Sequence, residues 1–166
     1  MTKVIVIRGN SGSGKTTVAR ALRAAILERG DSAGVAVVEQ DYFRRIVLKE
    51  KEEAGAEALN LIRLVATFAL ARGYDVIVEG ILGAAKYGDM LAGLMALADE
   101  SYAFYFDVSF EETVRRTSTK NADFGEAELR TWWKEHDVLG VEGETILPES
   151  LSFEEAVARI HAHVYP

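Results

Sequence analysis

Lys15 and Thr16 close the run GNSGSGKT, residues 9–16, which fits the spacing G-x-x-x-x-G-K-[ST] without a mismatch. That pattern does phosphate chemistry. Its glycines let successive backbone N–H groups turn inward around an anion, and a helix starting there aims the positive end of its dipole at the same point. A lysine ammonium adds a full charge, and a threonine hydroxyl suits a magnesium ion held between terminal phosphates. Gly9, Asn10, Ser11, Gly12, Ser13, Gly14, Lys15, Thr16 and Thr17 are thus the candidate residues for binding ATP and Mg2+. Lys15 is also a catalytic candidate, and Thr16 is the candidate metal ligand.

Three further clusters could act on a bound nucleotide. In EQDYFRRIV, Asp41 is placed either to cap a helix or to orient a substrate hydroxyl and accept its proton, with Glu39 as the rival carboxylate. Arg44 follows three residues later, on the same side of that helix, where it meets an anionic part of the substrate or pairs with Asp41. Tyr42 belongs to the same candidate substrate pocket, with Phe43, Ile81 and Leu82. In VIVEGIL, Glu79 ends an apolar β-branched run as acids do when they hold magnesium through water or grip an acceptor. Asp107 in FYFD has the same shape, but a Ser109 capping box follows at once and favours a structural role. Finally, FEETVRRTSTK carries Arg115, Arg116 and Lys120 toward a lid around residues 117–131, and one of these cations, Arg116 first, is expected to cover charge that builds during transfer.

Such residues need rigid elements to hold them. KVIVI before the phosphate loop reads as a buried strand, and further strands are expected at 34–40, 74–80, 102–108 and 144–149. Helical periodicity fills the intervals. The helix after the loop sets Val18, Leu22, Ala25 and Ile26 on one face and ends at Gly30; a second, 56–72, sets Leu59, Ile62, Val65, Phe68 and Ala69; a third runs from Met90 to Ala98. SFEE at 109–112 and again at 152–155 has the capping-box form. Alternation of this kind predicts an α/β fold, a parallel sheet covered on both faces, with ligands at the carboxyl ends of the strands.

Length and composition narrow the function. The 166 residues make one domain, 1–166, and the absence of cysteine excludes disulfides and thiolate metal sites. Apolar runs too short for a bilayer predict a soluble, cytoplasmic protein. A net charge of −7 counts against long nucleic acid as a partner. KEKEEAGAE at 49–57 reads as a solvated helix entry, Trp132 and Trp133 as packing residues, and His136, His161 and His163 as lacking metal-binding spacing.

The motifs GNSGSGKTT, DYFR and VIVEG, with a weaker match in FEETVRR, resemble the small phosphate-loop kinases of the branch that includes zeta toxins, chloramphenicol phosphotransferase and phage polynucleotide kinase. That resemblance implies a three-layer α/β/α fold with five parallel strands in the order 2-3-1-4-5. It implies that Asp41 is the general base, that Arg44 contacts a substrate phosphate, that Glu79 contacts substrate, and that adenine lies beside Pro148 to Leu151. The lid is short and poor in arginine beside the nucleoside monophosphate kinases, which counts against a nucleotide acceptor. The expected activity is transfer of the γ-phosphoryl of ATP to a hydroxyl of a small molecule. The rival is a nucleotide-driven switch, but neither N-K-x-D nor D-x-x-G stands where a GTP switch needs it.

Overall fold

The computed structural model describes residues 1–53, 56–119 and 124–166. In chain order the elements are β1 (Lys3–Gly9), α1 (Lys15–Arg29), β2 (Val35–Glu39), a π-helical stretch (Tyr42–Val47), α2 (Ala58–Ala71), β3 (Asp75–Gly80), α3 (Ala84–Met95), β4 (Glu100–Asp107), α4 (Phe110–Ser118), α5 (Glu126–Trp132), β5 (Thr145–Pro148) and α6 (Phe153–Val164). All strand pairings are parallel and the order is β2-β3-β1-β4-β5, as the resemblance implied. No helix among the described residues is long and apolar enough to cross a membrane.

Strand alternation sorts the core into two layers. Val4, Val6, Val76 and Val78 face α2 and α3, while Ile5, Ile7 and Ile77 face α1 and α6. Burial on both faces explains why β1 and β3 read as continuous apolar runs. Register then does the positioning: Glu39 lies opposite Glu79, so two carboxylates finish adjacent strands side by side.

Local signals place several helix ends as expected. Gly30 ends α1 with φ 76°. Ser152 and Glu155 form a full capping box at α6, whereas at α4 only the Ser109 half forms, because Glu112 turns instead to Arg115 and Arg116. Elsewhere the caps come from afar. Glu50 accepts from the backbone N–H groups of Glu57 and Ala58 at 3.1 and 3.0 Å and so caps α2, which ties down the charge run expected to be solvated. Asp137 accepts from Ala84 N at 3.0 Å, and α3 starts there rather than at Met90.

The inward face of α2 also differs from expectation. Ala58, Ile62, Ala66, Ala69 and Leu70 are buried, and Leu59 and Val65 are partly so, but Phe68 is 61 % exposed beneath the Arg72 guanidinium. Apolar residues surround most of this helix, so periodicity alone did not choose a face. Alanines let the helix approach the sheet closely. Ile62→Ala should therefore cost about 2–5 kcal/mol by urea denaturation, and Phe68→Ala less than about 1 kcal/mol, the reverse of what side-chain size alone suggests.

Candidate functional site

Helix α1 begins unlike α4 and α6. Its N-cap is Gly14, with φ 95°, no side-chain cap and no acid in the first turn, so its terminal N–H groups and dipole face the loop unopposed. Within the loop Ser13 N donates to the Asn10 carbonyl at 3.2 Å, and the buried Lys15 ammonium donates to that carbonyl at 2.8 Å. Gly12, at φ 80°, has no room for a side chain, since a Cβ would lie 2.6 Å from Thr117 Oγ1.

The loop is gripped from two sides. Arg116 on α4 donates to the Ser13 carbonyl at 2.9 Å and to the Glu149 carbonyl at 3.1 Å, while Glu112 anchors its Nε at 2.6 Å. Bonded to both Arg115 and Arg116, the Glu112 carboxyl is held down at about 2. On the other side the Asn10 carboxamide closes on the backbone around Lys134, donating to its carbonyl at 2.7 Å and accepting from its N–H at 2.9 Å. The side chain of Asn10, a residue expected among the nucleotide contacts through the loop backbone, bolts the loop to the segment that returns from the lid.

Three cavities lie in series along the carboxyl edge of the sheet. The middle one, about 110 Å³, is walled by Ser11, Gly14, Lys15, Thr16, Asp41 and Glu79 among others. Through Gly14 and Thr17 it adjoins one of about 500 Å³ between Arg116 and the Pro148–Leu151 turn. Through Ser11, Asp41 and Ile81 it adjoins one of about 740 Å³ under the π-helical stretch and the charge run. Asp41 stands at the junction, a wall of both the small cavity and the large one.

Glu79 is 2 % exposed and accepts from the Thr16 hydroxyl at 3.1 Å through Oε1; its Oε2 is buried with no hydrogen-bond partner among the described residues. Burial pushes this carboxyl above its ordinary range, against the pull of Lys15 and the Thr16 hydroxyl, and Glu39 and Asp41 push the same way. A hydroxyl and an orphaned carboxylate oxygen are hard oxygen donors that fit magnesium, with phosphate and water oxygens completing its shell. Among the described residues no group of three or more His, Cys, Asp or Glu forms a metal cage.

Other expected residues fall into three groups. Arg44 stays with Asp41, its Nη2 donating at 3.0 Å while its Nε meets Glu52 at 3.2 Å, and Asp41 makes no side-chain cap bond to the helix it heads. Arg116 reaches the loop from the 500 Å³ side and does not line the 110 Å³ cavity. Away from the cavities, Tyr42 is 52 % exposed and set edge-on to Phe43, Leu82 is buried in the core, Glu39 pairs with Arg20 at 2.6 Å, and Asp107 faces His136 at 3.5 Å. Tyr42 heads the π-helical stretch directly after Asp41, and neighbouring residues of any helix point to different sides, so with Asp41 on the cavity wall Tyr42 faces away from it. Lys120 lies outside the described residues.

Sequence reasoning missed the residues that support this wall. Gln40, 4 % exposed, accepts from Leu82 N at 2.9 Å and packs over Gly80, where a Cβ would meet its Oε1 at 2.4 Å. It holds Leu82 at φ 42°, a conformation costly for a branched side chain. Glu52 gathers Arg44, Lys86 Nζ at 2.6 Å and the Tyr87 hydroxyl at 3.1 Å. Helix α5 occupies part of the expected lid, and Trp132 at its end, 43 % exposed, walls the large cavity beside Phe124. Trp133 packs edge-on against Phe110, as expected of a packing residue.

A family model described as an AAA domain matches residues 4–139, and the chain belongs to that family. No curated protein gives a significant match. Many solved structures share the fold. An APS kinase from Mycobacterium tuberculosis, solved with AMPPNP and APS, superposes with a TM-score of 0.79 at 20 % identity, covering 99 % of this chain and 98 % of its own. A gluconokinase from Sinorhizobium meliloti gives 0.68 at 17 %, covering 98 % and 95 %, and a tunicamycin resistance protein from Deinococcus radiodurans 0.65 at 16 %, covering 99 % and 96 %. The fold is that of the small phosphate-loop kinases.

Glu79 gives a test with a definite sign. Folding raises its pKa, so the folded chain binds this proton more tightly; the associated stability is full below the unfolded pKa of about 4.3 and is lost as pH rises through the folded value. Glu79→Gln should therefore melt higher than the wild type near neutral pH, with the gap closing as both are acidified toward about pH 4. A variant melting at or below the wild type near neutrality contradicts this.

Proposed function

We propose that this AAA-domain chain is an ATP-dependent phosphotransferase that moves the γ-phosphoryl group to a hydroxyl of a small molecule, with Asp41 as general base. The observation that carries the reading is the place of Asp41, the carboxylate shared by the phosphate-loop cavity and the 740 Å³ cavity beside it. A pure nucleotide switch needs no second chamber with a carboxylate in the dividing wall.

The base and ribose of ATP fit the 500 Å³ cavity beside Pro148–Leu151, and its phosphates fit the loop cavity. Thr16 and Glu79 would hold Mg2+, which when bound supplies positive charge to the β- and γ-phosphates. Lys15, within reach of the loop backbone, neutralises phosphate oxygens as charge shifts toward the leaving ADP. Asp41 aligns the acceptor hydroxyl with the γ-phosphorus. As the hydroxyl oxygen bonds to phosphorus, the bond to the β–γ bridging oxygen breaks, ADP leaves with that electron pair, and the hydroxyl proton passes to Asp41. Arg44 holds the Asp41 carboxylate in line, so position rather than basicity is what the pair secures. Arg116 keeps the loop from collapsing into the space the nucleotide needs.

ADP release from magnesium-ATP, followed across a panel of hydroxyl compounds, tests this. In the wild type a productive acceptor accelerates release and becomes phosphorylated; Asp41→Asn should lose about a hundred- to ten-thousandfold of the accelerated rate while still binding nucleotide. Lys15→Ala should lose both transfer and nucleotide affinity. Turnover that no compound stimulates and that Asp41→Asn leaves unchanged would remove the assignment.

A further inference from the structure

We infer that the acceptor is an acidic small molecule, one that carries a carboxylate, phosphate or sulfate group besides its reacting hydroxyl and rests an apolar or planar body on Trp132. This deepens the phosphotransferase reading and rests on it for the hydroxyl, but its grounds are the charges of the large cavity.

The chain as a whole carries −7, yet the 740 Å³ cavity is walled by six cationic side chains against four carboxylates. Most of that negative charge is already committed. Glu50 is turned to the N–H groups of Glu57 and Ala58, Glu52 is shared by Arg44, Lys86 and the Tyr87 hydroxyl, and Asp41 is held by Arg44. Two cations thus serve two of the carboxylates. The other four, Arg45, Lys49, Lys51 and Lys134, have no carboxylate partner among the described residues. In an acidic protein the bland outcome for such cations is pairing with the surplus of carboxylates, and here they collect unpaired around one concavity. All four are exposed, but gathered around one concavity their fields add and raise the local concentration of anions against the repulsion of the whole molecule.

The arrangement also gives an orientation. Arg45, Lys49 and Lys51 belong to the wall built by the π-helical stretch and the charge run, the wall that also contains Asp41. Lys134, two residues after Trp132, borders the same cavity, and the exposed Trp132 ring lies 5.1 Å from the Phe124 ring. An acceptor with its hydroxyl at Asp41 meets cations contributed by two separate segments, and an aromatic surface with one of them, the combination that selects an anion with a flat or apolar body.

A matched pair of fluorescent probes tests the cavity without knowledge of the natural acceptor. 1-Anilinonaphthalene-8-sulfonate and N-phenyl-1-naphthylamine differ by the sulfonate alone, and each is titrated into the full chain loaded with Mg-AMPPNP. The sulfonate should bind at least about tenfold tighter, and the double variant Arg45→Glu/Lys51→Glu should erase the difference, as should Lys134→Gln in part. Equal binding of the two probes, or a sulfonate preference that neither variant reduces, overturns the inference. Far-UV circular dichroism and melting of each variant separate misfolding from loss of the site. Transfer is then assayed with glycerate against glycerol, glucuronate against glucose, and AMP against adenosine. Phosphorylation of neutral members as efficiently as acidic ones sinks the inference and leaves the phosphotransferase standing. A variant-sensitive sulfonate preference with no Asp41-dependent phosphorylation of any compound removes the phosphotransferase reading, and the acceptor with it, and leaves only an anion-binding cavity.

Discussion

A loop that offers most of its backbone N–H groups to an anion has few left to hold itself in shape, so much of its hold must come from outside. Here the Asn10 carboxamide grips both the N–H and the carbonyl of Lys134, and the Arg116 guanidinium grips the Ser13 carbonyl. Each contact ties one flank of the expected lid to the same loop. Phosphate cavity, nucleotide cavity and acceptor cavity thereby share one frame, and a shift of α4 or of the segment returning from α5 changes all three together.

Arg8 extends that frame beneath the loop. Its guanidinium is wholly buried and desolvation lowers its pKa, offset by Asp137 at 3.0 Å, Glu144 at 3.6 Å and the Tyr105 ring, while its Nε donates to the Leu82 carbonyl at 2.9 Å. Asp137 also caps α3, and Glu144 accepts from Leu139 and Gly140 N–H. A buried charge costs several kcal/mol to desolvate and is tolerated only when its partners are fixed, so this network contributes geometry more than stability. What it fixes is the strained turn at Leu82, between Ile81 on the cavity wall and Gly83. Gln40 locks the same turn from the β2 side, so the ends of β1, β2 and β3 hold one another.

The strands, the phosphate loop and the local caps at Gly30 and Ser152 were legible because each depends on residues within a few positions of one another. The place of Glu79 beside the phosphate loop was legible for a related reason, since an acid closing a run of buried β-branched residues ends at the carboxyl edge of the sheet. What escaped was everything set by distant partners. Glu50 looked like one member of a solvated run because its target N–H groups exist only once α2 is placed, and Ala84 started a helix because Asp137 arrives from another segment. Asn10 occupies a variable position of the loop motif, and nothing local hints that its amide faces Lys134. Tyr42 stands next to Asp41 in the chain, but adjacent helical residues point to different sides, so nearness in sequence to a cavity carboxylate did not bring its ring to the cavity. Trp132 and Phe68 were both expected to pack inward and both are exposed, the tryptophan to a cavity and the phenylalanine to solvent, because aromatic residues at helical spacing carry no mark of which face is inward.

The central claim is that the nucleotide lies across the loop with its terminal phosphate directed at Asp41. A crystal structure of the full chain with Mg-AMPPNP tests it most directly. The account predicts the adenine beside Pro148–Leu151, the metal on Thr16 and Glu79, and the γ-phosphate in the small cavity facing Asp41. A γ-phosphate turned toward the Arg116 side, with Asp41 and the large cavity out of its reach, would contradict it.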